Sequence, residues 1–112
     1  MKKLVALMVI SGFCFAAENA LVYQEGAEIY KKCIACHGQN GEKVAPGSKR
    51  GITIGGMDKD YLVEQLKGYV AGTADNGGAK VIMYANMKNW RFTNAEIEAV
   101  STYISHLPKV KN

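Results

Sequence analysis

A chain of 112 residues with 48% hydrophobic content and only two prolines has room for one compact core, which excludes a disordered chain and a collagen-like polymer. The formal net charge of +4 drops by two without Lys2 and Lys3, to +2, so total charge makes no case for nucleic acid or a membrane surface as partner.

The first residues read as a secretory signal. Lys2 and Lys3 form a basic start, Leu4 to Phe15 an apolar run, and Cys14-Phe15-Ala16 a small-x-small site, which places cleavage after Ala16. An uncleaved anchor is the weaker reading, because this run falls short of the roughly twenty residues that span a bilayer. Cys14 is discarded with the segment, since bulky Phe13 before it does not suit a lipoprotein-type site. The expectation is a signal peptide over 1–16 and a single domain over 17–112, located in the periplasm.

Within that domain, the first helical stretch is expected from about Tyr23 to Cys36, where Gly26, Ile29, Tyr30 and Cys33 share one face. Gly26 inside a helix costs about 1 kcal/mol against Ala, which points to a packing reason for it. From Gly38 to Gly56 inclusive there are six glycines, Pro46 and several lysines without periodicity, the pattern of a loop that wraps a ligand or fills space. A second helix opens at Asp58, a capping residue type, carries Tyr61, Leu62, Gln65, Leu66 and Tyr69 along one side, and ends at Gly72. From Thr73 to Phe92 the Asn76-Gly77-Gly78 turn signal and a mixed polar stretch predict irregular structure. The last helix has a capping box, Thr93-Asn94-Ala95-Glu96, a stripe of Ile97, Val100, Ile104 and Leu107, and a stop at Pro108. No strand alternation appears, so the class is all-α, with about three main helices and long loops between them.

One motif carries chemistry. Cys33-Ile34-Ala35-Cys36-His37 is a C-x-x-C-H sequence at the end of an amphipathic helix, the spacing of c-type haem attachment. Two thiols one helical turn apart suit the two vinyl groups of a porphyrin, and the next residue turns an imidazole towards the iron. A thioredoxin-like redox pair would need a βαβ context, and a zinc site further Cys or His ligands, whereas only His106 remains. A plain Cys33–Cys36 disulfide leaves His37 unexplained. So small a helical domain with long loops has a marginal core, and a buried macrocycle would supply its apolar centre.

With these residues in view, the chain from Gly26 to Leu107 resembles the class I c-type cytochromes, in particular the small bacterial c553 type, and one half of the dihaem cytochrome c4 proteins. The matching landmarks are Gly26 and Tyr30 ahead of Cys33 to Gly38, then Tyr61 to Leu66 with Lys67-Gly68-Tyr69, then Met83, then the capped helix from Thr93 to Leu107. The resemblance implies a cytochrome c fold in which the first and last helices cross near Gly26, beside Tyr103 or a neighbour. It implies one covalent haem c on Cys33 and Cys36, with His37 and a methionine as axial iron ligands: Met83, with Met87 the alternative and otherwise an apolar filler. It also implies that the Pro46 carbonyl accepts the His37 proton.

The function expected is single-electron transfer, without enzymatic activity, between membrane-bound or periplasmic respiratory oxidoreductases. A thioether in the sixth position raises the potential and leaves no open site for a substrate. A haem enzyme or gas sensor is the competing class, and the two candidate methionines count against it. Trp90 and Tyr69 are candidate haem-wall residues, and His106 is not expected to ligate. Lys43, Lys49, Arg50, Lys80 and Lys88 would form a basic rim for an acidic partner. The protein is expected to be monomeric, with no nucleic-acid partner and no stable membrane insertion.

Overall fold

The computed structural model describes residues 19–78 and 80–109. The expected signal peptide, Cys14 included, lies outside the described residues. Among them the structure is helical, with no strand: α1 covers 19–30, α2 is Ile34–His37, α3 Lys59–Ala71, α4 Lys80–Trp90 and α5 Asn94–Ser105.

The first helix stops earlier than its periodicity suggests. Past Tyr30 the backbone tightens, with N–H donors of Lys31, Lys32 and Cys33 bonding carbonyls three residues back at 3.3, 3.1 and 2.8 Å. The chain then resumes as the single turn α2, whose His37 N–H donates to the Cys33 carbonyl at 2.9 Å. Gly26, Ile29 and Tyr30 are buried, as their common face requires.

Local chemistry sets the remaining boundaries. Asp58 caps α3 by accepting from the Tyr61 N–H at 3.1 Å, and Gly72 closes it in the left-handed conformation, φ 77°. Thr93 and Glu96 form the reciprocal capping box of α5, at 3.1 and 2.9 Å. That helix ends at Ser105, with His106 as C-cap, before Pro108.

One expectation is corrected. The stretch from Thr73 to Phe92 is not irregular throughout, because Lys80–Trp90 is the helix α4. Good helix formers (Lys80, Met83, Ala85, Met87, Lys88) outweigh the local polar mixture, and Met83, Met87 and Trp90 recur at helical spacing. The Asn76-Gly77-Gly78 break stands, ahead of α4.

The core forms around α3, which packs against both α5 and α4. Its neighbouring residues divide the work. Leu62 joins Ile29, Tyr30, Ala99, Val100 and Ile104, while Val63 joins Met87 and Ile97. Where α1 crosses α5, a Cβ on Gly26 would overlap the Ala99 carbonyl oxygen and sit 2.8 Å from Tyr103 Cβ, so the glycine permits the close approach. The crossing was expected beside Tyr103 or a neighbour; the nearest group is the Ala99 carbonyl, with Tyr103 beside it.

Candidate functional site

The packing leaves a cleft, open to solvent on one side, between α3, α4, α5 and the loop that follows α2. Cys33, Cys36 and His37 line it, as do Met83 and Met87, so every predicted site residue meets one space. The walls are mainly apolar, including Leu62 and Leu66 of α3, Val100 and Ile104 of α5, and Ile54 of the long loop. Tyr69 and Trp90 line the cleft as expected. His106 does not. It is exposed, its Nδ1–H donates to the Thr102 carbonyl at 2.8 Å, and its ring meets Tyr23 edge-on.

Positions follow from the local structure. The tightened turn after α1 carries Cys33 into α2, which sets Cys36 and His37 on the next turn. Met83 and Met87 stand four residues apart on one side of α4. They differ in setting. Met87 is 1% exposed and packs with Val63 and Ile97, whereas Met83 is half-buried against the same cluster.

Electrostatics follow the apolar walls. Burial, reinforced by the neighbouring Cys36, pushes the Cys33 thiol up to about 12, so it is a neutral thiol rather than a thiolate. Both cysteines are free of a disulfide. Burial pushes the His37 imidazole below its ordinary value, which keeps it neutral, the form that ligates a metal. Its Nδ1 is buried with no hydrogen-bond partner. The expected bond to the Pro46 carbonyl is therefore not formed, although Pro46 lines the cleft. Among the described residues, no group of three or more His, Cys, Asp and Glu side chains gathers as a zinc site requires.

Sequence reasoning missed two features of this cleft. Met57 contributes a third thioether to its lining, with no periodic signal to mark it. Asn76, read only as a turn residue, sits in a polar cluster. Its Oδ1 accepts from Tyr61 Oη at 3.0 Å, and its Nδ2 donates to Gln65 Oε1 at 2.6 Å and Tyr69 Oη at 3.1 Å. The i, i+4 spacing of the α3 residues was visible, but not the point on which they converge.

Residues 23–108 match the family model described as cytochrome c. The chain belongs to the cytochrome c family. It is 34% identical over 107 residues to cytochrome c-553 of Nitratidesulfovibrio vulgaris (strain Miyazaki F), across 96% of this chain and 100% of that one. It is 29% identical over 111 residues to cytochrome c4 of Azotobacter vinelandii, across 93% of this chain but 50% of the relative. Among solved structures, reduced recombinant cytochrome c4 from Pseudomonas stutzeri aligns with a TM-score of 0.63 at 24% identity, over 80% of this chain and 50% of that chain. The chain thus spans about half the length of the cytochrome c4 proteins it matches, and the structural likeness shows a shared fold.

This cytochrome accordingly has the all-α cytochrome c fold and a covalent haem c with iron, and its chemistry is haem-based electron transfer. The cleft fits that cofactor on its own terms: it is mainly apolar, it gathers two free thiols and a neutral imidazole, and it offers thioether donors. No described helix is long and apolar enough to cross a membrane.

Proposed function

We propose that this cytochrome is a periplasmic carrier of single electrons, with haem c held by thioether bonds to Cys33 and Cys36 and its iron between His37 and Met83. The observation that carries the reading is the convergence of these four residues, from α4 and from the turn after α1, on one apolar cleft. Bound there, haem c supplies a one-electron iron couple, and a His/Met ligand pair raises its potential.

Each side chain has a distinct part. Cys33 and Cys36, as free thiols one helical turn apart, provide two attachment points. His37, kept neutral by burial, presents a nitrogen lone pair. Met83 is preferred over Met87 as the second axial donor because Met87 is fully buried in the core with Val63 and Ile97, whereas Met83 is half-buried. With haem bound, the mainly apolar walls would limit the access of water to the iron, which favours electron exchange over substrate binding.

The periplasmic location rests on the N-terminal signal pattern. Lys43, Lys49, Arg50, Lys80 and Lys88 are all exposed, and Lys80 also lines the cleft, which supports docking to acidic faces of membrane-bound or periplasmic oxidoreductases. The carrier works as a monomer. Production in a host with c-type maturation, then ferric and ferrous spectra and a redox titration, tests the reading. Low-spin iron with a sulfur-to-iron band and a reversible one-electron couple is expected; high-spin iron with an open position would refute it.

A further inference from the structure

The segment that joins α3 to α4 is held from three directions. Thr73 N–H donates to the Gly68 carbonyl of α3 at 2.8 Å, and the Tyr84 hydroxyl of α4 donates to the Ala74 carbonyl. Lys49 N–H, from the loop that follows His37, donates to the Gly77 carbonyl at 2.8 Å. Gly77 itself has φ 136°, and a Cβ there would lie 3.0 Å from Ser48 Oγ, so its backbone conformation and the crowding both favour glycine.

Asn76 lies at the centre of this junction and commits its whole amide to α3. Tyr61, Gln65 and Tyr69 succeed one another at four-residue intervals along one face of that helix, and all three bond to Asn76. These four polar residues line a mainly apolar cleft. The bonds to Gln65 and Tyr69 are partly buried and the bond from Tyr61 is exposed, so the first two contribute most to the rigidity of the cluster. The ring of Tyr69 then packs 5.8 Å from that of Tyr84, the residue next to Met83.

We infer that Asn76 is a positioning residue: through Tyr61, Gln65 and Tyr69 it fixes the junction from which α4 starts, and so holds Met83 against the cleft. The inference rests on the proposed Met83 ligation. Without Asn76, the α3 face loses its common partner, and the junction keeps its backbone bonds, the Thr73 and Tyr84 hydroxyl bonds and the Asp75 contacts with Gly77, Gly78 and Lys80. A state in which Met83 withdraws then becomes more populated.

The test titrates ferric holoprotein with imidazole and follows the sulfur-to-iron band, alongside the midpoint potential. Asn76→Ala should raise the apparent imidazole affinity about tenfold, in proportion to the larger population of the withdrawn state, and lower the potential. Ile29→Val, which thins the core at a residue that neither lines the cleft nor bonds to this cluster, should change neither. Tyr61→Phe removes one bond to Asn76 and should give a smaller shift of the same sign, and it carries the test if Asn76→Ala fails to load haem. Wild-type protein without the band overturns the Met83 reading and this inference with it. Wild-type protein with the band, and Asn76→Ala and Tyr61→Phe indistinguishable from Ile29→Val, overturns the inference alone.

Discussion

The hydroxyl of Tyr30 donates a 2.7 Å hydrogen bond to the carbonyl of Gly38, so the buried end of α1 grips the backbone one residue beyond His37. Burial raises the Tyr30 hydroxyl well above its ordinary value and keeps it a donor. Tyr30→Phe retains the packing on Tyr103 but removes this bond. The Gly38 carbonyl keeps a longer bond from Gly41 N–H at 3.3 Å, so the cost should be that of one hydrogen bond, about 0.5–1.5 kcal/mol. Thermal unfolding of the holoprotein should show a fall of several degrees; an unchanged midpoint would contradict the assigned role.

Gly26→Ala pits two effects against each other. Helix propensity favours Ala by about 1 kcal/mol. The added methyl, however, meets the Ala99 backbone carbonyl and Tyr103 Cβ, neither of which can rotate away, and overpacking of this kind costs about 1–3 kcal/mol. The net effect should be destabilising, read as a lower urea midpoint at unchanged slope. A stabilised variant would show that α1 and α5 do not cross where the structure places them.

Acid should loosen the junction before α4 through Asp75. The N–H groups of Gly77 and then Gly78, with Lys80 beside them, hold its carboxyl below the ordinary carboxylate range. The folded state therefore binds the proton less tightly than the unfolded chain. This stabilisation is complete above the unfolded value of about 3.9 and is lost as pH falls through the lower folded value. The effect is small, because the group is exposed. Asp75→Asn should be less stable than wild type at neutral pH, with a difference that vanishes in acid; a gap that persists there would exclude the charge as its source.

The two methionines of α4 separate by spectrum and by stability. Met83→Ala should abolish the sulfur-to-iron band and lower the midpoint potential strongly. Met87→Ala should keep the band but cost about 2–5 kcal/mol, as for any large buried side chain cut to a methyl. The reverse pattern would make Met87 the ligand.

How far these features were legible in the sequence follows from the range of the interactions behind them. Asp58, Gly72 and the Thr93–Glu96 box were readable because a cap is a bond between residues at most a few positions apart. The C-x-x-C-H motif was readable because its residues lie within about one turn of each other. Helix α4 was obscured by the glycines and charges around it, since its apolar side is narrow and Met83, Met87 and Trp90 acquire meaning only against the cleft. Asn76 was hidden more completely. Its partners stand 7, 11 and 15 residues away, and locally it differs in nothing from a turn residue.

Attachment of the cofactor at Cys33 and Cys36 is most directly tested by intact mass under denaturing conditions, after production with c-type maturation machinery. The mass of the processed chain plus one haem is expected, and the chain mass alone when both cysteines are replaced by Ala. Wild-type protein that sheds its haem on denaturation, or never carries it, would contradict covalent attachment at this motif.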